Sequence, residues 1–402
     1  MKGSNKLAKP AAFATLGAAA FAVFFLSTAV LAGAGVKPGA SGDPLPGLTA
    51  EQIKDFDNGK TEFTTPATVA DGLGPVFNGS SCRGCHRTPV TGGGSTTMVT
   101  RFGTVTDGSF DPLETLGGSL IQSRAIGPPD SSHQFRPETV PDEASIVARR
   151  RTQPLFGLGL VDAVPDQTFI DLAAREANRN DGTAGRVNLV TNLSTGMPAV
   201  GKFGWKGQVA ALFDFSGDGL LNEIGITNPL FPNENCPGGD CSELTFNPQP
   251  GLNDSGIKLR AIADYMTLLG PPPRGEITGH VQAGENVFNQ IGCAGCHAPT
   301  LKTGTNTVAA LDNKTFHPYS DFLLHDIGTG DGIVQGQATG DEIRTAPLWG
   351  LRMFTKYIHD GRATTLEDAI LAHGGQAAAS RESYLRLGDS NQAKLLEFLN
   401  SL

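Results

Sequence analysis

Cys82-Arg-Gly-Cys85-His86 and Cys293-Ala-Gly-Cys296-His297 are two copies of one pattern, and how they are read decides the fold. C-x-x-C-H is the attachment signature of covalently bound haem. Two thiols at that spacing reach the two vinyl groups of one porphyrin, and the adjoining histidine falls beneath the iron as its proximal ligand. A single copy leaves room for a redox dithiol or half of a zinc site. Two complete copies in an exported chain, the setting in which haem is attached, argue against both. The motifs therefore nominate Cys82, Cys85 and His86 for one haem, and Cys293, Cys296 and His297 for a second.

Export is read from the N-terminus. Lys2, Lys6 and Lys9 precede an uncharged run from Ala11 to Ala34, which ends in the small residues Ala32, Gly33 and Ala34. That is the order of a signal peptide over residues 1–34. The glycine and proline that follow favour cleavage, although an uncleaved run is long enough to span a bilayer. Either way the remainder lies outside the cytoplasm, in a periplasm or its equivalent. Cys236 and Cys241, the remaining cysteines, close a short loop in Cys236-Pro-Gly-Gly-Asp-Cys241. A disulfide is the expectation there, because no adjacent base lowers a thiol pKa as a catalytic dithiol requires.

The chain has 402 residues and a formal net charge of −9, and removing the three N-terminal lysines leaves −12. So acidic a protein is a poor partner for nucleic acid or for an anionic membrane surface. With 52 glycines and 26 prolines it reads as loop-rich but globular.

Working outward from the haem motifs, the two halves match in order. Gly59-x-x-x-Phe63 answers Gly284-x-x-x-Phe288 ahead of each motif. Behind each, Arg151-Thr-Gln-Pro-Leu-Phe-Gly-Leu158 answers Arg344-Thr-Ala-Pro-Leu-Trp-Gly-Leu351, and Trp205-Lys-Gly207 answers His359-Asp-Gly361. The separation between copies falls from 225 residues at the first pair to 154 at the last. Every interval is therefore longer in the first half, whose extra loops suit a site built on a scaffold. Helices are expected at Ala50–Phe56, Asp166–Asn178, Gly256–Leu269, Gly279–Gln290, Thr365–Ala372 and Asn391–Leu399. The third stops at Gly270-Pro-Pro-Pro-Arg274, taken as the domain boundary. The expected fold is mainly α, with two cytochrome-c-like haem domains from an internal duplication, at 35–273 and 274–402.

These residues resemble the di-haem oxidoreductase family, distant relatives of the bacterial dihaem cytochrome c peroxidases. The likeness rests on Phe77-Asn-Gly-Ser-Ser-Cys82, Leu155-Phe-Gly-Leu-Gly-Leu160, Phe203-Gly-Trp205-Lys206, Leu323-Leu-His-Asp-Ile-Gly328, Arg344-Thr-Ala-Pro-Leu-Trp349 and His359-Asp-Gly-Arg362. It implies two facing haem domains, one closed for electron transfer and one catalytic. In such relatives the position fourteen residues after His359 carries the distal ligand of the C-terminal haem. Here it is His373, so that haem is expected to be held by His297 and His373 and closed to peroxide. A helix-capping role beside Gly374-Gly375 is the alternative.

The same count from Trp205 falls on Gly219, which cannot ligate iron. The N-terminal haem is thus left with an open face, or is closed at rest by Met98 or His133. Glu223 matches, within two residues, the acidic group that the resemblance assigns to peroxide cleavage, a proton-transfer task. A solvated helix-end glutamate is the alternative. Where the relatives carry glutamine ten residues earlier, this chain has Phe213. The resemblance places Trp205 between the haems as an electron relay, while packing at the domain interface is its ordinary reading. Arg151 and Arg344 open the repeated segment and suit haem propionates. The resemblance also allows calcium between the domains. The one calcium-like run, Asp214-x-Ser216-x-Asp218-Gly219, ends at its twelfth position on Gly225 instead of glutamate.

The expected protein is an exported peroxidase-like oxidoreductase. It takes electrons from a donor protein, such as a small cytochrome or a cupredoxin, and passes them to hydrogen peroxide or another small oxidant. A non-catalytic dihaem electron carrier is the alternative, and oxidation of a partner or organic substrate a third. Two covalently bound haems per chain follow from the motifs. Haem staining after denaturing electrophoresis and the intact mass should both report two, and a mass fitting one haem overturns the duplication.

Overall fold

Glycine in a helix leaves room for a second backbone to come close, and this fold uses that twice. In the computed structural model, which describes residues 39–127 and 133–402, the first helix, α1 (Ala50–Thr64), crosses α6 (Ile257–Leu268) at Gly59. A Cβ on Gly59 would collide with the carbonyl oxygen of Ala261 and with Tyr265. In the second half, α7 (Gly279–Gln290) crosses α10 (Asp389–Ser401) at Gly284, where a Cβ would collide with the carbonyl oxygen of Lys394 and with Phe398. One turn further along each helix, an aromatic side chain points at the histidine of the nearby motif. The rings of Phe63 and His86 lie 6.1 Å apart, and those of Phe288 and His297 lie 6.3 Å apart. Each half of the chain thus brings one glycine-crossed helix pair to its own motif.

Between these pairs lie α2 (Cys82–Cys85), α3 (Leu158–Asp162), α4 (Asp166–Arg179) and α5 (Leu212–Ile224), then α8 (Leu366–Leu371) and α9 (Ala378–Leu385). Local chemistry sets their ends. Thr49 caps α1 in a capping box: its hydroxyl accepts from the N–H of Gln52, and its own N–H donates to the Gln52 side chain. Thr365 and Asp368 do the same for α8, and Thr278 caps α7. Gly225, with φ 74°, ends α5 in the left-handed conformation.

α1 runs past its expected end at Phe56, because Gly59 serves there as a packing contact and not as a stop. α5 was not expected at all. Its Gly217, Asp218 and Gly219 read as a loop, whereas its buried Leu212, Leu220, Leu221 and Ile224 hold it to the core. The calcium-like run is therefore helical. Asp214 within it accepts hydrogen bonds from the Leu193 N–H at 2.7 Å and the Ser194 hydroxyl at 2.6 Å.

Helices make up 35% of the structure and strands 14%, so short strands and loops fill more of the frame than a mainly-α expectation allows. The longest strand, Met98–Thr106, turns at Asp107-Gly108 into Ser109–Asp111 and pairs on its other edge with Ile146–Arg151, all antiparallel. Its register sets Met98 opposite Arg151 and Arg101 opposite Ala148.

Two hydrophobic clusters form the interior. The larger joins Phe56, Phe63, Tyr265 and Met266 to residues from the other half, including Leu301, Phe316, Leu323 and Trp349. The smaller gathers Val287, Phe288, Tyr319, Tyr384, Leu395 and Phe398. Burying each large side chain contributes roughly 1.5–3 kcal/mol. The export signal expected at 1–34 lies outside the described residues. Among the described residues no helix is long and apolar enough to cross a membrane.

The glycine crossings give a stability prediction. Gly284→Ala should destabilise the protein by about 1–3 kcal/mol through overpacking. Gly279→Ala, where a Cβ meets nothing within 4 Å, should cost nothing. Thermal melting of the two variants beside wild type measures the difference.

Candidate functional site

The first motif stands at the edge of a cavity lined by Cys82, Cys85, His86, Trp205, Gly219 and Glu223. α2 is a single turn, closed by the His86 N–H donating to the Cys82 carbonyl at 2.9 Å. The chain leading into it is tied to the end of α5. The carbonyl of Glu223 accepts from the N–H groups of Asn78 (2.8 Å) and Gly79 (3.0 Å). Helical spacing puts Asp218, Gly219, Asn222 and Glu223 on one side of α5. Burial pushes the His86 imidazole down to about 4, so it is neutral, the form in which imidazole ligates a metal. Its Nδ1 sits 3.2 Å from the Gly93 carbonyl, the kind of support that orients a ligating ring.

Both motifs carry free cysteines, and Cys236 pairs with Cys241 as expected. Burial pushes the Cys82 and Cys293 thiols up to about 12. An activated redox dithiol needs the opposite shift.

Across this cavity, Glu223 holds a buried Oε2 with no hydrogen-bond partner. Desolvation pushes its carboxyl up to about 7. Gly219 is open to the cavity: a Cβ there would meet nothing within 4 Å. A desolvated carboxylate with one unpartnered oxygen, lining the same cavity as a neutral histidine, fits a haem iron with room for a small ligand.

The second motif is arranged differently. His297 Nδ1 lies 3.1 Å from the Tyr319 carbonyl and His373 Nδ1 lies 2.6 Å from the Ala369 carbonyl. The two rings face each other with centroids 6.3 Å apart. A ligating imidazole nitrogen sits about 2 Å from its metal and about 1.2 Å from its ring centroid, so two axial imidazoles on one metal put their centroids roughly 6.3 Å apart. The pair therefore has the separation of a bis-histidine iron site. Burial lowers both pKa values, which leaves both rings neutral. His325 is buried nearby, 2.9 Å from Asp321 and 3.6 Å from the Cys296 sulfur. Burial opposes its protonation, but the Asp321 hydrogen bond outweighs that and holds it charged.

Between the sites, the repeated segments exchange hydrogen bonds. Arg151 donates its backbone N–H to His359 (2.8 Å) and its Nε to Ile358 (2.8 Å). Arg344, its counterpart, donates its N–H to Trp205 (2.8 Å) and its Nε to Gly204 (2.8 Å). All four acceptors are backbone carbonyls, and the two sets are equivalent positions of the repeat. Trp205, buried, donates its indole N–H to the Arg151 carbonyl at 3.0 Å and meets the His359 ring edge-on at 6.1 Å. It thus lines the first cavity while touching the second half of the chain.

Arg151 and Arg344 line the first cavity too, yet their Nε groups are committed to this exchange. Arg150, passed over in the sequence, is better placed for an anion. It is buried, bonded through Nε to Asp331 at 2.6 Å, and carries an NH2 group with no partner. Lys206, fully buried, lies 3.3 Å from the same carboxylate. Two buried cations against one anion leave a positive charge that suits a haem propionate. Strand alternation was the available signal, since Ala148 and Arg150 both point inward. Arg101 and Asp218, also lining the cavity, were likewise missed as site residues.

Neither Met98 nor His133 is among the residues lining the cavity. His133 instead bonds Glu243 at 2.7 Å and stacks on Phe246. Phe213 packs beneath the Arg260 guanidinium at 4.3 Å.

The family described as "Di-haem oxidoreductase, putative peroxidase" matches residues 130–402. Among solved structures, Kuenenia stuttgartiensis hydrazine synthase is 15% identical with a TM-score of 0.39, covering 98% of this chain and 100% of that one. A MauG-like protein associated with microbial copper homeostasis is 15% identical with a TM-score of 0.39, over 91% of this chain and 93% of that one. A variant of the diheme peroxidase BthA from Burkholderia thailandensis is 14% identical with a TM-score of 0.37, over 91% and 88%. No curated protein matches the chain.

Proposed function

The chain belongs to the di-haem oxidoreductase family, and from that premise we propose that it is an exported dihaem c-type cytochrome acting as a peroxidase. Two cytochrome-c-like domains, 35–273 and 274–402, descend from one duplicated unit. The first holds its haem through Cys82, Cys85 and His86, with Arg150, Arg151 and Arg344 toward the propionates. The second uses Cys293, Cys296, His297 and His373. When bound, the haems supply the electron storage and the iron chemistry that protein side chains lack. A donor protein, a small cytochrome or a cupredoxin, supplies two electrons at the closed C-terminal site, and Trp205 lies on the way to the open one. Hydrogen peroxide with two electrons and two protons gives two waters.

The observation that carries this reading is the unpartnered Oε2 of Glu223 in the cavity that His86 also lines, with open space at Gly219. In its ionised form Glu223 takes the proton from one peroxide oxygen and returns it to the other as that oxygen leaves. Gly219 keeps side chains out of the position where the oxidant must sit. A pure electron carrier needs a second ligand on that face. The engagement of His133 with Glu243 speaks for the enzyme.

Two measurements test this. The electron paramagnetic resonance spectrum of the oxidised protein should show one high-spin and one low-spin iron, and two low-spin signals overturn the open face. His373→Ala should convert the low-spin signal and let that iron bind added imidazole. His373→Met should keep it low-spin at a higher potential. If His373→Ala changes neither signal, His373 is not a ligand.

Glu223→Gln should leave both spectra intact and slow the reaction with peroxide about a hundredfold to ten-thousandfold in stopped flow. The base must be ionised and its pKa is raised to about 7. The wild-type rate should therefore climb as pH rises through about 7 and then level off, while the Gln variant stays flat. An equal rate for both proteins makes Glu223 structural.

A further inference from the structure

A second cavity adjoins the distal wall of the first, and the two share Arg101, Gln208 and Asp218. Their linings differ in kind. Around the first motif the wall is largely apolar, with Phe63, Leu155, Phe203, Ile262, Met266 and Trp349, which suits the face of a porphyrin. The second is mainly polar. Exposed Glu114 lines it together with the part-buried Glu138, Glu234, Asn222 and Asp218. Part of that lining is fixed by hydrogen bonds: Asn222 donates to Asp218 at 2.9 Å, Asn235 to Asn222 at 3.3 Å, and Gln122 to the Asn222 carbonyl at 3.2 Å.

We propose that this polar cavity is the port through which a small, neutral, hydrogen-bonding oxidant reaches the distal face of the N-terminal site, with Arg101 and Asp218 at its inner threshold. The port deepens the peroxidase reading and depends on the open face proposed there. A haem over Cys82, Cys85 and His86 fills the apolar cavity, so the polar one at its edge remains the way in. Four carboxyl groups line it beside the single guanidinium of Arg101, a hydrogen-bonding surface matched to water and hydrogen peroxide. Its lining is mostly amide and carboxyl, with Pro112 and Leu120 the apolar exceptions, which favours a small hydrogen-bonding oxidant over a bulky organic hydroperoxide.

Arg101 is presented to both cavities by strand alternation, which points Val99 and Arg101 to the same face. Among the described residues its guanidinium is anchored by one hydrogen bond, to the Ser119 hydroxyl at 3.0 Å. A guanidinium has five N–H donors, so others remain to hand a peroxide oxygen inward, toward the unpartnered Oε2 of Glu223. Arg101 and Asp218 act here as positioning residues on the approach.

The test uses cyanide, which is neutral as hydrogen cyanide near pH 7, and reads its binding to the oxidised holoprotein from the haem absorption band in stopped flow. Glu114→Cys puts a thiol at this exposed position of the lining, to be tagged with a bulky maleimide. A gate slows passage in both directions. Tagging should thus lower the association and dissociation rates together, by roughly tenfold or more, with Kd unchanged. The untagged variant is the reference against which the tagged one is read. Asn235→Phe, which narrows the wall from inside, should give the same paired slowing. If tagged Glu114→Cys and Asn235→Phe both bind cyanide at the wild-type rate, the port is overturned while the open face stands. If wild type binds no cyanide at all, the open face is overturned and the port with it.

Discussion

The N–H of Arg151 reaches the carbonyl of His359, and the N–H of Arg344 reaches the carbonyl of Trp205. Each half of the chain thereby closes a backbone bond that the other half leaves open. A buried hydrogen bond of this kind contributes only about 1 kcal/mol net, but losing one partner strands a buried polar group at a cost of about 1–3 kcal/mol. The exchange is therefore more important for register than for raw stability. It fixes the indole of Trp205 against Arg151, and through Arg151 it fixes the strand that carries Arg150 and, across the sheet, Met98 and Arg101. One face of the first cavity thus takes its shape from a contact with the second half.

Charge is distributed to match. At one part of the site, Arg150 and Lys206 flank Asp331 and leave a positive balance. Although burial alone would raise it, the Arg150 hydrogen bond holds the Asp331 carboxyl below its usual range. On the distal side, Glu223 and Asp218 are desolvated and pushed upward. Ion-paired cations and desolvated acids thus occupy different parts of one site.

Much of the frame was legible beforehand because it is written locally. C-x-x-C-H needs five consecutive residues, and α7 begins and ends at Gly279 and Gln290 as its sequence implies. His373 was singled out because the family resemblance supplied a spacing from His359, and its ring lies 6.3 Å from that of His297. What escaped depends on contacts distant in sequence. α5 has two glycines in its middle and is helical because its leucines are buried. Arg150 differs from Arg149 and Arg151 only in which way a strand turns it. Arg101 matters because of Asp218 and Glu223, more than a hundred residues away. Glu223 itself came from resemblance, and only the geometry around its Oε2 gives it a physical setting.

The larger hydrophobic cluster has a consequence for how the chain is made. Phe56, Phe63 and Tyr265 share their core with Leu301, Phe316, Leu323 and Trp349, so the first lobe cannot finish condensing until residues far beyond its own haem motif have emerged. As the chain is made from N to C terminus, Cys82 and Cys85 emerge long before that core can close. Their thiols stay accessible until the late arrival of the second half packs around them. A chain cut at the proline run after Gly270 would leave the first lobe with an open apolar seam, prone to aggregation instead of folding.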